Sequence, residues 1–230
     1  MRKFLFALAA LASGCAAPPP APPPPAPPPP AAPAAPAAAA AYERWEVTAS
    51  RLEIRVYRDG PMARLGHNHV ITSAALAGRL ELREPRGRSG LTLTLPLDSL
   101  VVDDAGARAA AGTDFATPVP DADRAGTRKN LLGPKVLDAA LQPVLRLSAD
   151  ALEGGPEHYV ATLRVALRGE ERVVAMPVTV RFDGDRVSVH AHAVLRHADL
   201  GLVPFTVAMG VLSVRDDFVI DCRLEARRAT

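Results

Sequence analysis

From Leu91 onward, apolar residues recur at every second position in one run after another. No other feature restricts the fold as strongly. A period of two sends successive side chains to opposite faces, so each run reads as a half-buried β-strand. Leu91, Leu93, Leu95 and Leu97 alternate with Thr92, Thr94, Pro96 and Asp98. The same alternation runs through Tyr159, Ala161, Leu163, Val165 and Leu167, through Val174, Met176, Val178, Val180 and Phe182, and through Val187, Val189, Ala191, Ala193 and Leu195. In the last run Leu212, Val214, Phe218, Ile220, Cys222, Leu224 and Ala226 share one parity.

The connections are short: Gly154-Gly155-Pro156, Arg168-Gly169-Glu170 and Asp183-Gly184-Asp185. Tight turns of this kind join antiparallel neighbours. At the front, Trp45 and Val47 have one parity and Leu52, Ile54 and Val56 the other, so a bulge or bend is expected near Ala49-Ser50. One region breaks the pattern. In Asp123–Ala140 the residues Leu131, Leu132, Val136 and Leu137 suggest short helical turns interrupted at Gly133-Pro134, and Ala105–Pro120 reads as a polar loop. The expectation is an all-β domain, an antiparallel meander of about eight strands with one short helical excursion. Such a meander protects its edges by closing into a barrel or stacking as a sandwich. A closed barrel of about eight strands has room for one small ligand.

The segment before the strands has a different composition. Met1-Arg2-Lys3, an apolar run from Phe4 to Leu11 and Ala12-Ser13-Gly14-Cys15 read as a secretory signal over residues 1–14. The ending Ala-Ser-Gly-Cys resembles a bacterial lipoprotein cleavage box, which implies lipid on Cys15. Residues 15–41 continue as a Pro/Ala-rich linker without core-forming content. About 20 polyproline-like residues span on the order of 60 Å, enough for a stalk. The domain at 42–230 is then held off a membrane by its anchor in the cell envelope, facing the periplasm. Its single thiol, Cys222, allows no disulfide within the domain and sits on the inward parity, as an inert core thiol does. The net charge of +2 is spread along the chain, with no basic block to suggest nucleic acid.

Three stretches carry a family resemblance. Ser50-Arg51-Leu52-Glu53-Ile54 leads to a His67/His69 segment and Gly78. Arg128–Ala149 joins a charged residue, leucines, a short helix, a proline and a strand ending near Ser148. Leu195–Leu202 reads LRHADLGL. Together, from about Trp45 to Arg227, they resemble the YceI-like family of periplasmic, lipocalin-like barrels. The resemblance implies a lipocalin-like β-barrel with an interior for a long-chain lipid, isoprenoid or fatty-acid-like, and no catalysis or cofactor.

The inward parity names the apolar lining: Leu93, Leu95, Leu163, Val165, Met176, Val178, Val180, Val189, Ala191 and Ala193, with Phe205 and Met209 as residues that suit core or lining. Polar candidates for a ligand headgroup are Arg64, His67, His69 and Arg196. For His67 and His69 three roles stand open: imidazoles closing a backbone turn, contacts to a headgroup at the barrel mouth, or two ligands of a metal. The second His-x-His pair, His190 and His192, belongs to the outward parity. No metal site is expected. Asp216 falls on the apolar parity and needs either a partner such as Arg64 or Arg196, or a bulge that turns it outward. No nucleophile–base pairing, phosphate loop or carboxylate pair argues for an enzyme. A homodimer is left open.

Overall fold

The computed structural model describes residues 42–83 and 89–229. The signal segment, Cys15 and the linker of residues 15–41 lie outside the described residues. Eleven strands are present among those described: β1 (Tyr42–Asp59), β2 (His69–Ser73), β3 (Ala77–Arg83), β4 (Gly90–Pro96), β5 (Val101–Val102), β6 (Val144–Gly154), β7 (His158–Leu167), β8 (Glu170–Asp183), β9 (Arg186–Arg196), β10 (Thr206–Val207) and β11 (Leu212–Arg228). Two helices stand between β5 and β6: α1 (Ala105–Ala111) and α2 (Asp121–Leu132).

Eight of the strands close into a barrel in the order β1-β3-β4-β6-β7-β8-β9-β11, and β11 returns to β1. Every pairing is antiparallel. The tight turns set the registers. Arg168 and Gly169 both have positive φ, 54° and 78°, as a two-residue hairpin between right-twisted strands requires. The expected slip in β1 is a register shift between Val47 and Ala49 against β11. A second irregularity follows Val56, where Tyr57 alone stands opposite Arg215, Asp216 and Asp217. This bulge turns Asp216 to the exposed outer surface, so the carboxylate needs no buried partner.

β1 is longer than one neighbour can cover. Its first part, Tyr42–Glu46, pairs with β3, while Leu52–Val56 pairs with β2, which carries β5 on its far side. The open end of the barrel is therefore built from this small flap, the two helices and the loop before β11.

Residues 105–120 differ from the expected polar loop. Asp104 caps α1 by accepting from the Ala107 N–H at 3.0 Å, and the sequence AGARAAA supplies strong helix formers. The signal was present in the sequence, but the segment contains no long apolar face. α2 carries Asp121 and Asp123 in its first turn and Lys129 in its last, which suits the helix dipole. It stops before Gly133-Pro134, and Leu131, Leu132, Leu137 and Ala139 pack onto the barrel core. At the opposite end Trp45, Leu80, Leu82, Tyr159, Val180, Val187 and Ala226 form a sealed cluster. Trp45 and Val187 are completely buried there.

Between the two ends, burial falls. On β9, Val187 and Leu195 are buried, while Val189, Ala191 and Ala193, on the same inward face, are only half-buried. On β11, Phe218 and Leu224 are buried, but Ile220 and Cys222 between them are not fully so. β8 repeats the pattern with Val178 between Met176 and Val180. Inward side chains that pack fully at the ends and only partly in the middle surround a hollow. The small side chains of Ala191 and Ala193 explain much of it, because two alanines leave space that leucines would fill.

Candidate functional site

The strands carry the expected apolar lining inward. Leu93 and Leu95 pack in one interior cluster, Val165 in a second, Met176 in a third and Val180 in the sealed one; Leu163, Val178, Val189, Ala191 and Ala193 pack against them. Met209 does not belong to this set. It is fully exposed, in a left-handed backbone conformation with φ 55°. The turn before β11 reverses the chain there, so parity no longer decides where the side chain goes. Phe205 is half-buried and lines a cavity at the open end, outside the barrel proper.

That cavity measures about 400 Å³. Its floor and walls include Val56, Ile71, Leu131, Val136, Val203 and Phe205, and its polar rim includes Arg58, His67, His69, Asp123, Thr127, Asn130 and His197. Val56 and Leu131 also pack against the interior clusters, so cavity and barrel interior share walls. Arg64 and Arg196 do not line it. Arg64 is exposed on the 3-10 turn Ala63–Leu65. Arg196 is exposed in a shallow cleft with Asp199, Asp216 and Asp217, because the final β9 residue points outward once Leu195 points in.

The His67-Asn68-His69 segment divides its work. Asn68 performs the turn chemistry: its Oδ1 accepts from the Arg58 N–H at 3.0 Å, and its Nδ2 donates to the Asp114 carbonyl at 2.9 Å. His67 faces Asp123, Nδ1 to Oδ2, at 4.0 Å. His69 begins β2. The pairing of Ile71 with Val102 brings Asp103 beside it, and the positive φ of 56° at Asp103 turns that carboxylate inward.

Asp103 is the hub. Its side chain is completely buried. One oxygen, Oδ2, lies 2.6 Å from His69 Nδ1. The other, Oδ1, accepts from the Val70 N–H at 3.0 Å and from Arg108 Nη1 at 2.6 Å. Arg108, on α1, also donates to the carbonyls of Asn68, Phe115 and Thr117 at 2.6–2.7 Å. Burial alone pushes the Asp103 carboxyl up; the hydrogen bonds from His69, Val70 and Arg108 outweigh it and hold the carboxyl below the usual aspartate value. An ionised carboxylate only accepts, so His69 Nδ1 carries the hydrogen. The other nitrogen, Nε2, is on the cavity side, 3.4 Å from Thr127 Oγ1 of α2.

His197, in the LRHADLGL stretch, is the third imidazole of the cavity. Its Nδ1 donates to the Asp216 carbonyl at 2.7 Å, and its ring stands edge-on to Phe218 at 5.0 Å. Asp103, Arg108, Thr127 and His197 were not among the sequence candidates. Asp103-Asp104 before an alanine-rich stretch was a cap signal, but nothing local linked it to His69, 34 residues earlier.

His190 and His192 lie on the outer face, as their parity indicated. Both approach Asp221 Oδ2, at 2.9 and 3.3 Å. Among the described residues, no group of three or more histidine, cysteine or acidic side chains is arranged to hold a metal ion. On the inner face of β11, burial and the neighbouring Asp221 charge push the Cys222 thiol up to about 11.

Fold and site together define a class: a closed antiparallel barrel, sealed at one end, hollow in the middle and lined at the other end by an apolar cavity with a polar rim. No protein-family model matches the chain, and no curated protein does. Solved structures do match. Burkholderia cenocepacia BcnA shares 14% identity over 79% of this chain and 96% of its own, with a TM-score of 0.52. A polyisoprenoid binding domain from Saccharophagus degradans, implicated in plant cell wall breakdown, shares 13% identity over 80% of this chain and 98% of its own, with a TM-score of 0.51. A Campylobacter jejuni YceI protein is matched at 10% identity over 67% and 82%, with a TM-score of 0.48. The fold is that of BcnA and of this polyisoprenoid binding domain.

Proposed function

We propose that the protein is an envelope lipoprotein whose barrel binds or carries a long-chain, isoprenoid-type lipid in its apolar interior, without catalysis. The observation that carries this reading is the half-burial of inward apolar side chains at mid-barrel on β8, β9 and β11, between fully buried residues further along the same strands. A packed core is close-packed throughout. A barrel that sheathes an acyl or prenyl chain needs an apolar hollow instead, and gains about 0.8 kcal/mol per buried methylene. The likeness in fold to a polyisoprenoid binding domain supports the same reading.

The surroundings of the cavity fit loading from a bilayer. Leu65 and Val203 line it and are themselves exposed. Val207, another lining residue, and its chain neighbours Met209 and Val211 are exposed as well. An exposed apolar patch beside the cavity shortens the aqueous path of a lipid tail. The sequence Ala12-Ser13-Gly14-Cys15 supplies the proposed anchor and the Pro/Ala linker the reach.

Organic extraction of protein purified without detergent, followed by mass spectrometry, tests the reading. One long-chain lipid per protein is expected. A lipid-free protein that also fails to take up prenyl lipid from vesicles overturns it. The anchor is tested separately: Cys15→Ser should move the protein from the membrane fraction to the soluble envelope fraction.

A further inference from the structure

At the open end, two segments show solvent more apolar surface than the fold requires. Leu200–Val214 contains no charged residue, yet Val203 is 74% exposed, and Val207, Met209 and Val211 are exposed as well. Leu65, also exposed, belongs to the same surface. The Met62 N–H donates to the Val211 carbonyl at 3.0 Å, and Gly66 packs against Leu212, so the 3-10 turn is tied to this segment. Exposed apolar residues gathered in one patch mark an interaction surface. Met209 is the clearest sign. Its φ of 55° and ψ of 36° are left-handed, a conformation that suits glycine, asparagine or aspartate and disfavours methionine. The side chain is fully exposed, so no packing among the described residues offsets this.

Continuity and reach name the occupant. Leu65, Val203 and Val207 line the cavity and face solvent too, so whatever covers the patch lies at the entrance for a lipid tail. The described chain begins at Tyr42, beside the sealed plug that holds Trp45. The patch is at the other end of β1, where Asp59 pairs with Ser213. The 18 residues of β1 span about 60 Å at most. Residues 16–41, at the polyproline rise, reach roughly 80 Å. That length lets a domain anchored through Cys15 set its open end on the same membrane. The charges of residues 58–66 are Arg58, Asp59 and Arg64, a positive excess that suits anionic lipid.

We propose that this patch is a bilayer-docking surface. Met209 and Val211 insert among the acyl chains, the cavity opens against the membrane, and a lipid passes between bilayer and barrel without crossing water. The proposal rests on the lipid-carrier reading and names the partner from which the cavity loads.

The test uses the Cys15→Ser full chain, so that no anchor contributes, and vesicles of phosphatidylethanolamine and phosphatidylglycerol in equal parts. The protein should float with the vesicles. Met209→Asn suits the left-handed backbone, so it should keep or raise the melting temperature while vesicle affinity falls about tenfold, the scale of one methionine side chain withdrawn from the bilayer. Val194→Asp, at an exposed position on the outer wall of β9, should leave vesicle affinity unchanged. Orientation is read with brominated lipid. Met209→Trp in a Trp45→Phe chain should be quenched, whereas Trp45, the only tryptophan of the wild type, should not. No flotation, equal loss in Val194→Asp, or quenching of Trp45 overturns the docking surface. So does a dimer by light scattering that Met209→Asn dissociates, because the patch then belongs to a second copy. A chain that yields lipid on extraction but ignores vesicles loses the docking surface and keeps the carrier. A chain that docks through Met209 but neither holds nor takes up lipid keeps the surface and loses the carrier.

Discussion

The two ends of this barrel are made of the same strands and do opposite things. At the sealed end, Trp45, Leu80, Tyr159, Val180, Val187 and Ala226 converge from six strands and exclude solvent. At the open end, the closure is made by segments outside the meander: the β2–β5 flap, α1, α2 and the loop carrying Phe205. Those segments contribute polar side chains as well as apolar ones, and they leave a cavity. The difference teaches that strand parity builds the wall and the plug, whereas the mouth depends on a few specific polar contacts. Stability at the sealed end should follow apolar volume, and at the open end charge pairing.

The comparison breaks first at Trp45. Truncation to alanine removes a fully buried indole from the plug and should cost about 3–5 kcal/mol, read as a fall in denaturation midpoint. Trp45 Nε1 has no hydrogen-bond partner among the described residues, so Trp45→Phe should retain most of that stability. A Trp45→Ala protein as stable as wild type would mean that the plug is not a packed core.

At the open end the largest effect belongs to Arg108. Arg108→Met keeps an apolar stem but leaves Asp103 buried without its cation, at a cost of about 3 kcal/mol or more. The pH dependence carries the sign. The folded Asp103 carboxyl is held below its ordinary value of 3.8, so its contribution is complete above the unfolded value. It is lost as pH falls through the lower folded value. Acid unfolding of wild type should therefore steepen below about pH 4, and Asp103→Asn should lose that part of the slope.

Ala191→Trp sharpens the contrast from the middle. In a packed interior this overfilling costs about 1–3 kcal/mol. In a hollow it should change stability by less than about 1 kcal/mol and abolish lipid uptake. A fall in melting temperature with lipid uptake intact would point to a solid core.

The smallest effect is chemical. With its thiol raised to about 11, Cys222 in a Cys15→Ser chain should react with iodoacetamide at pH 8 far more slowly in the folded protein than in the unfolded one. The same shift lowers the stability as pH rises from 9 towards 11, because the unfolded thiol ionises first. Cys222→Ala should remove that loss.

Much of the wall was readable from the sequence. Period two assigns β7, β8, β9 and β11 and their inward faces, since alternation is a local property that neighbouring residues impose on one another. The slip near Ala49 was legible for the same reason, as a change of parity. The helix α1 was signalled by Asp104 and a run of alanines, yet its short length and lack of an apolar face hid it. Met209 shows where the rule stops: in a reversing turn, backbone dihedrals and not parity decide direction. The polar centre was legible only in part. His69 stood out as half of a His-x-His pair, but its partner did not, because nothing in residues 67–69 specifies a carboxylate far along the chain.

By itself, then, the sequence determined the antiparallel meander, the apolar inner face, the outward placement of His190 and His192 and the position of the tight turns, all of which follow from local periodicity and turn chemistry. Tertiary structure alone decided which end is sealed, that the interior is hollow at its middle, and that His69, Asp103, Arg108 and Thr127 meet. Those outcomes depend on barrel closure and on the β2–β5 pairing, which brings together residues that share no local signal.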